Sequence, residues 1–304
     1  MKFIDLFAGI GGFHLALHDL GHECVFASEI DKNARITYKK NFAKRSPALF
    51  SDHAYNDNIL SITDPSSQIP DFDILCAGFP CQPFSQAGFK KGFSESKGDR
   101  GNMFFNICSI IEAKRPKAFF LENVRHLLKH DGGRTFSIIK EQLEDKLGYS
   151  FSFKVVKASD HGLPQFRPRV FMVGFRRDVP DLPDFEFPQP IPLTMTMSDV
   201  WAGSCSRKVG FTLRVGGKGS GIHDRRNWDA YLVDDEVRTL SPQQGLMMMG
   251  FPEDFEFPVT NNQAMKQLGN SVAVNAVKAT AEKIVDYLDV NSYLFKEVEQ
   301  KEVA

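Results

Sequence analysis

Strand-like and helix-like segments alternate along the first 175 residues, and this alternation constrains the fold more than any other feature. Residues 2–7 are apolar and rich in strand formers, glycines follow at 9, 11 and 12, and residues 13–17 begin a helix that Gly21 can end. Residues 24–28 read as a second strand closed by Glu29 and Asp31, and residues 34–42 as a helix. Residues 72–76 read as a buried strand running into Gly78-Phe79-Pro80-Cys81. A helix over 103–113 stops before Pro116, a strand covers 117–121, and an amphipathic helix over 134–147 ends at Gly148. Such strand–helix alternation predicts an α/β fold, a doubly wound, Rossmann-like parallel sheet with helices on both faces.

The character changes after Phe175. Prolines crowd in at 180, 183, 188, 190 and 192, and periodicity vanishes over 203–228. That stretch carries Arg207, Lys208, Arg214, Lys218, Arg225 and Arg226 against the single acid Asp224, a local charge of +5. Helical pattern returns at 242–249 and 271–288. The expected organisation is a main domain over 1–175, a smaller loop-rich domain over 176–240, and a segment over 241–304 that returns to the main domain. Asp-Phe-Glu-Phe-Pro occurs at both 184–188 and 254–258, a repeat too short to indicate duplication.

Composition narrows the function classes. The overall charge of −1 does not announce a nucleic-acid binder, but a local basic face is enough for one. Five scattered cysteines with no CxxC pair argue against a disulfide framework or a thiolate zinc site, so a reducing cytoplasm is the expected setting. The opening residues do not resemble a signal peptide, and no apolar run approaches the roughly 18 residues of a membrane span. His14, His18 and His22 are spaced by four, which invites a metal reading; with no fourth ligand in sight, a solvated helix face is expected and no metal.

Three places carry candidate chemistry. Gly9-Ile10-Gly11-Gly12 between the first strand and helix lets backbone amides approach a ligand, and Glu29 at the end of the second strand can accept hydrogen bonds from ribose hydroxyls. NAD, FAD and S-adenosylmethionine enzymes all use such a corner, and a tight turn beside a solvated acid is the structural alternative. Phe7, just before the glycines, can stack on an adenine or belong to the core. Cys81 follows a buried strand between Pro80 and Pro83, where open sheets bind ligands, whereas Cys24, Cys76 and Cys108 read as core and Cys205 as a loop thiol. Glu122-Asn123 follows the strand over 117–121 and can face the same cleft. Arg167 and Arg169 lie two apart, so in extended chain both side chains point one way.

Taken in order, these pieces resemble the C5-cytosine DNA methyltransferases over nearly the whole chain. Residues 5–13 (Asp-Leu-Phe-Ala-Gly-Ile-Gly-Gly-Phe) look like the family's first cofactor motif, and residues 78–85 (Gly-Phe-Pro-Cys-Gln-Pro-Phe-Ser) like its catalytic loop. Gly101-Asn102-Met103-Phe104, Glu122-Asn123-Val124, Gln165-x-Arg167-x-Arg169 and Gln267-Leu268-Gly269-Asn270-Ser271-Val272 look like the motifs that follow.

The resemblance implies S-adenosyl-L-methionine as cofactor and duplex DNA as substrate. It implies Cys81 as nucleophile at C6 of a flipped cytosine, Glu122 at N3, Arg169 at O2, and Arg167 supporting the site less directly. It implies cofactor contacts from Phe7, the backbone of Ala8, Gly9, Ile10, Gly11 and Gly12, then Glu29, Ile30, Pro80, Asn270 and Ser271. The family's Asp-Ile at the adenine is here Asn58-Ile59, preceded by Asp57, so an amide replaces the acid or the match slips by one. Gln82, Ser85, Lys91, Arg214, Lys218, Arg225 and Arg226 are the candidate DNA contacts. Residues 86–92, with Lys97 and Arg100, suit a closing lid, and the +5 segment suits target recognition. A monomer is expected, with a cognate restriction endonuclease, where one exists, acting separately. The alternatives are a transfer RNA cytosine-5 methyltransferase of the same architecture and, more remotely, an NAD-dependent oxidoreductase, which would leave Cys81 and the arginine pair unexplained.

Overall fold

The structure is a computed structural model, and it describes residues 1–52, 54–80, 103–216 and 219–303. The chain runs β1 (Lys2–Leu6), α1 (Gly12–His18), β2 (Glu23–Ser28), α2 (Lys32–Phe42), β3 (Tyr55–Asn56), β4 (Ile74–Gly78), α3 (Met103–Lys114) and β5 (Ala118–Val124). There follow α4 (Arg134–Glu141), β6 (Ser152–Lys157), β7 (Pro168–Phe175), β8 (Ala230–Val233), β9 (Glu236–Thr239), α5 (Pro242–Met249), α6 (Asn261–Asn270), α7 (Val274–Val290) and α8 (Ser292–Val303). Short helical turns join several of these elements.

A seven-stranded sheet has the order β3-β2-β1-β4-β5-β7-β6. β1 to β5 pair in parallel, as expected. β7 departs from the expected parallel sheet, because it lies antiparallel to both neighbours, β5 and β6. The link from β6 to β7 explains the reversal. It holds only a short 3-10 turn at Ala158–Asp160, and a parallel return needs a crossover of about a dozen residues or more, usually a helix.

The strands bury alternate residues on opposite faces, as the pleat requires. Phe3, Cys76, Phe120, Phe171 and Val173 belong to one core, which α1 and α7 cover. Ile4, Leu75, Leu121 and Met172 belong to the other, with Ile107 and Ile111 of α3. The first core runs on without a break through Leu213, Trp228, Tyr231 and Met248, so the loop-rich part shares its apolar interior with the sheet.

Two local features correct or sharpen the sequence reading. His14 does not lie on a solvated face; it is fully buried. Its ring stacks on Phe42 with centroids 4.1 Å apart, Nδ1 lies 2.5 Å from the Tyr38 hydroxyl, and Nε2 lies 2.9 Å from the Ser46 hydroxyl. Burial pushes its pKa down to about 3, so it is a neutral core group. Gly11 has φ +84°, and a Cβ there would overlap the Phe42 ring. Gly11→Ala is expected to cost about 2–5 kcal/mol from left-handed strain and overpacking together. Thermal melting would read this as a fall in Tm of about 3–8 °C.

Candidate active site

β1 and β4 are central neighbours whose chains leave in opposite directions, to β2 and to β5. A crevice therefore opens beyond their carboxyl ends, where open α/β sheets bind ligands. β1 delivers Phe7 there with φ 56°, an uncommon conformation for a residue with a side chain. The following turn is closed by Ala8 N–H donating to Ser28 O at 3.0 Å and Gly11 N–H donating to Ala8 O at 2.8 Å.

Two adjoining clefts of about 410 and 420 Å³ occupy this crevice, sharing Phe7, Glu29, Ile30 and Pro80. The first is walled by Phe7, Ile30, Ile59, Pro80 and Met103, with Ser28, Glu29 and Asn58 as polar lining. Ile30 is 65% exposed here, an apolar surface that a flat ligand would cover. The second reaches from Gly9 and Ile10 past Lys266 and Asn270 to Glu122 and Arg169.

The Glu29 carboxylate sits where the clefts meet. One oxygen accepts from Gly9 N–H at 2.8 Å and the other from Asp31 N–H at 2.7 Å. A carboxylate has about four acceptor positions, so capacity remains for two ligand hydroxyls. Burial pushes its pKa up, and those backbone donors oppose the rise. The Asn58 carbonyl oxygen accepts from Leu60 N–H at 3.0 Å, capping the following turn. Unlike an acid, its amide can also donate.

At the far end of the second cleft lies a buried ion pair. Glu122 and Asn123 were expected after a strand ending at 121; instead they lie inside β5. Glu122 stands opposite Gly78 of β4 and Phe171 of β7, because ladder pairing continues past the polar side chains. Arg169 Nε donates to Glu122 Oε1 at 2.9 Å. Burial pushes the Glu122 pKa up; Arg169 and, after it, Arg167 pull it down, and burial wins. This carboxyl therefore takes up a proton more readily than an ordinary carboxylate does, which suits an acid that must donate one.

The raised value has a consequence for stability. The unfolded chain releases this proton near the ordinary 4.5, whereas the folded protein keeps it to higher pH. Between the two values the folded state binds more protons, so stability falls as pH rises through that window. Glu122→Gln is expected to lack this contribution, and its Tm should decline less than the parent's above pH 4.5. Melting both proteins across that range checks it.

Asn123 has a separate task, since its Nδ2 donates to Phe79 O at 2.9 Å and pins the turn leading to Pro80. Arg167 does not line either cleft. It is fully buried and donates to the carbonyls of Leu213, Gly269 and Ser271.

The crevice thus gathers Phe7, Gly9, Ile10, Glu29, Ile30, Asn58, Ile59, Pro80, Glu122, Arg169 and Asn270. Ala8, Gly11, Gly12 and Ser271 lie behind the lining. Gly12 and Ser271 are packed together, a Cβ on Gly12 falling 3.2 Å from the Ser271 hydroxyl. Cys81, Gln82, Ser85, the lid over 86–92 with Lys91, Lys97 and Arg100, and Lys218 lie outside the described residues. Arg214 and Arg225 are exposed, while Arg226 forks onto Asp224 at 2.7 Å, the one acid already counted in the local +5. Sequence reasoning missed Asp31, Gln263, Lys266 and Gln267 as lining residues. Gln267 and Lys266 stand in or beside the closing motif, but nothing in residue type marked them.

A model of the family described as C-5 cytosine-specific DNA methylase matches residues 1–211 and 206–286. The chain belongs to this family. As a C-5 cytosine-specific DNA methylase it is a DNA (cytosine-5)-methyltransferase. It is 38% identical to the Type II methyltransferase M.DsaV of Dactylococcopsis salina, over 100% of this chain and 92% of that protein. It is 34% identical to the Type II methyltransferase M.HhaI of Haemophilus parahaemolyticus, over 96% and 97%. Among solved structures, DNMT2 of Spodoptera frugiperda superposes with a TM-score of 0.68 at 16% identity, covering 93% of this chain and 99% of that one, a likeness of fold. Among the described residues no helix is long and apolar enough to cross a membrane.

Proposed function

We propose that this methyltransferase moves a methyl group from S-adenosyl-L-methionine to C5 of a cytosine flipped out of a specific duplex DNA sequence. The observation that carries this reading is the buried Glu122–Arg169 pair at one end of a crevice whose other end combines an apolar slot with the Glu29 carboxylate.

The chemistry of the lining fits the cofactor. Phe7, Ile30, Ile59 and Pro80 would enclose the adenine, with Asn58 at its polar edge. Glu29 would hold the ribose hydroxyls, and the Gly9–Gly12 turn with Asn270 and Ser271 would receive the rest. When bound, S-adenosyl-L-methionine supplies an electrophilic methyl group.

Cytosine C5 is a weak nucleophile until C6 is attacked. The Cys81 thiolate would add at C6, pushing the electrons of the C5–C6 double bond toward C5. Glu122, holding its proton, would donate at N3 and draw charge off the ring, and Arg169 would stabilise O2. Once C5 carries the methyl group, a base such as water would take the C5 proton, the N3 proton would return to Glu122, and expulsion of the Cys81 thiolate would restore the ring. None of these groups reaches a stacked base, so the cytosine must leave the helix, at a few kcal/mol. Residues 176–240 would serve as the target-recognition domain, with Arg214 and Arg225 exposed to meet phosphates or guanine edges. The Type II relatives support a restriction-modification role, with any endonuclease acting as a separate protein.

Incubation with methyl-labelled S-adenosyl-L-methionine and, in parallel, genomic duplex DNA or bulk transfer RNA tests this reading. Label is expected in DNA. Label in transfer RNA alone would replace the DNA reading by the RNA one.

A further inference from the structure

Gln165 and Arg167 are buried side chains that touch neither cleft, yet they hold three parts of the site in one grip. Gln165 Nε2 donates to Met248 O at 3.0 Å, and its Oε1 accepts from Leu213 N–H at 3.0 Å. Arg167 Nη1 donates to Leu213 O at 3.2 Å, and Nη2 donates to Gly269 O at 2.9 Å and Ser271 O at 2.5 Å. The two residues therefore fix both backbone groups of Leu213. Main-chain bonds extend the clasp: Gly210 N–H donates to Pro164 O, and Phe166 N–H to Gly210 O, each at 2.9 Å.

Arg214 is the next residue after Leu213, with an exposed side chain. Its backbone lies against Gly269, where a Cβ would fall 2.7 Å from the Arg214 carbonyl carbon. Gly269 and Asn270 line the second cleft. One guanidinium thus ties the segment that displays Arg214 to the turn that lines the cofactor crevice. It does so two residues from Arg169, the partner of Glu122. Burial and the nearby Arg169 disfavour charge on Arg167, and its three carbonyl acceptors compensate. Moving Leu213 therefore breaks a bond to a buried charged donor, worth about 1.5–3 kcal/mol.

We propose that Gln165 and Arg167 are positioning residues that couple DNA reading at Arg214 to cofactor binding at Gly269–Ser271, so that each ligand tightens the other. The proposal rests on the reading that Arg214 meets DNA and that the crevice takes S-adenosyl-L-methionine. Coupling of this kind is reciprocal and typically about 5–150-fold.

The test measures the affinity of the full chain for genomic DNA fragments with and without S-adenosylhomocysteine. It also measures the affinity for S-adenosylhomocysteine with and without DNA. In the parent, each ligand should raise the affinity of the other by about 10-fold or more. In Arg167→Lys, which can reach one carbonyl but not three, both ratios should fall toward one. Gln165→Met keeps side-chain volume, loses both polar contacts, and should lower the same ratios if Arg167→Lys fails to fold. A parent ratio of one overturns the proposal, as does an unchanged ratio in either folded variant. A parent that transfers no label from S-adenosyl-L-methionine to DNA would instead overturn the functional reading beneath it.

Discussion

Cys81→Ser is expected to reduce methyl transfer to background, a loss on the order of 10⁶-fold, as when a covalent nucleophile is removed. A serine hydroxyl has a far higher pKa than a thiol, so far less of it is the anion that attacks C6. Affinity for S-adenosylhomocysteine should stay within about 3-fold of the parent, because the cofactor residues gathered in the crevice remain in place. Label transfer and equilibrium binding together read both halves. Near-parental transfer by the serine variant would remove Cys81 from the mechanism.

Glu122→Gln is expected to lower kcat by about 10²–10⁴-fold, the usual range for a positioned general acid, with a much smaller change in cofactor affinity. An amide fills the same volume opposite Gly78 and Phe171, but it cannot deliver a proton to N3. It can still donate a weak hydrogen bond, so the loss should be smaller than for Cys81. The parent should also lose activity as rising pH deprotonates Glu122, because burial holds that carboxyl above its ordinary value and activity needs its proton. The glutamine variant should lack that limb. A variant retaining the parental rate would show that the carboxyl does not act at the ring.

Much of this site was legible because its chemistry sits in turns after strands, where glycine and proline punctuate the chain. The Phe7–Gly12 turn, Glu29 and the Gly78–Pro80 turn stand where the residue pattern put them, and the ordered motifs supplied their company. Glu122 was taken for the end of its strand because it is polar. Backbone pairing to β7 carries the strand three residues further, to Val124, regardless of side chain. The direction of β7 depends on the length of one connection, which local patterns do not encode. His14 misled because its spacing matched a helix face, whereas α2 brings Tyr38 and Phe42 over that face from more than twenty residues away. The order within residues 203–228 was invisible to periodicity for another reason. Single side chains anchor that loop: Trp228 Nε1 donates to Gly216 O at 2.9 Å, and Asp229 accepts from Gly219 N–H at 3.0 Å.

The most direct test of the account uses genomic duplex DNA carrying tritium at cytosine C5, with methyl-labelled S-adenosyl-L-methionine as donor. Replacing the C5 hydrogen by a methyl group must release that tritium to water. Transfer to C5 predicts one tritium released for each methyl group incorporated, with neither event in Cys81→Ser. Methyl groups entering DNA without release of tritium would contradict it, because the acceptor would then be another atom of the base.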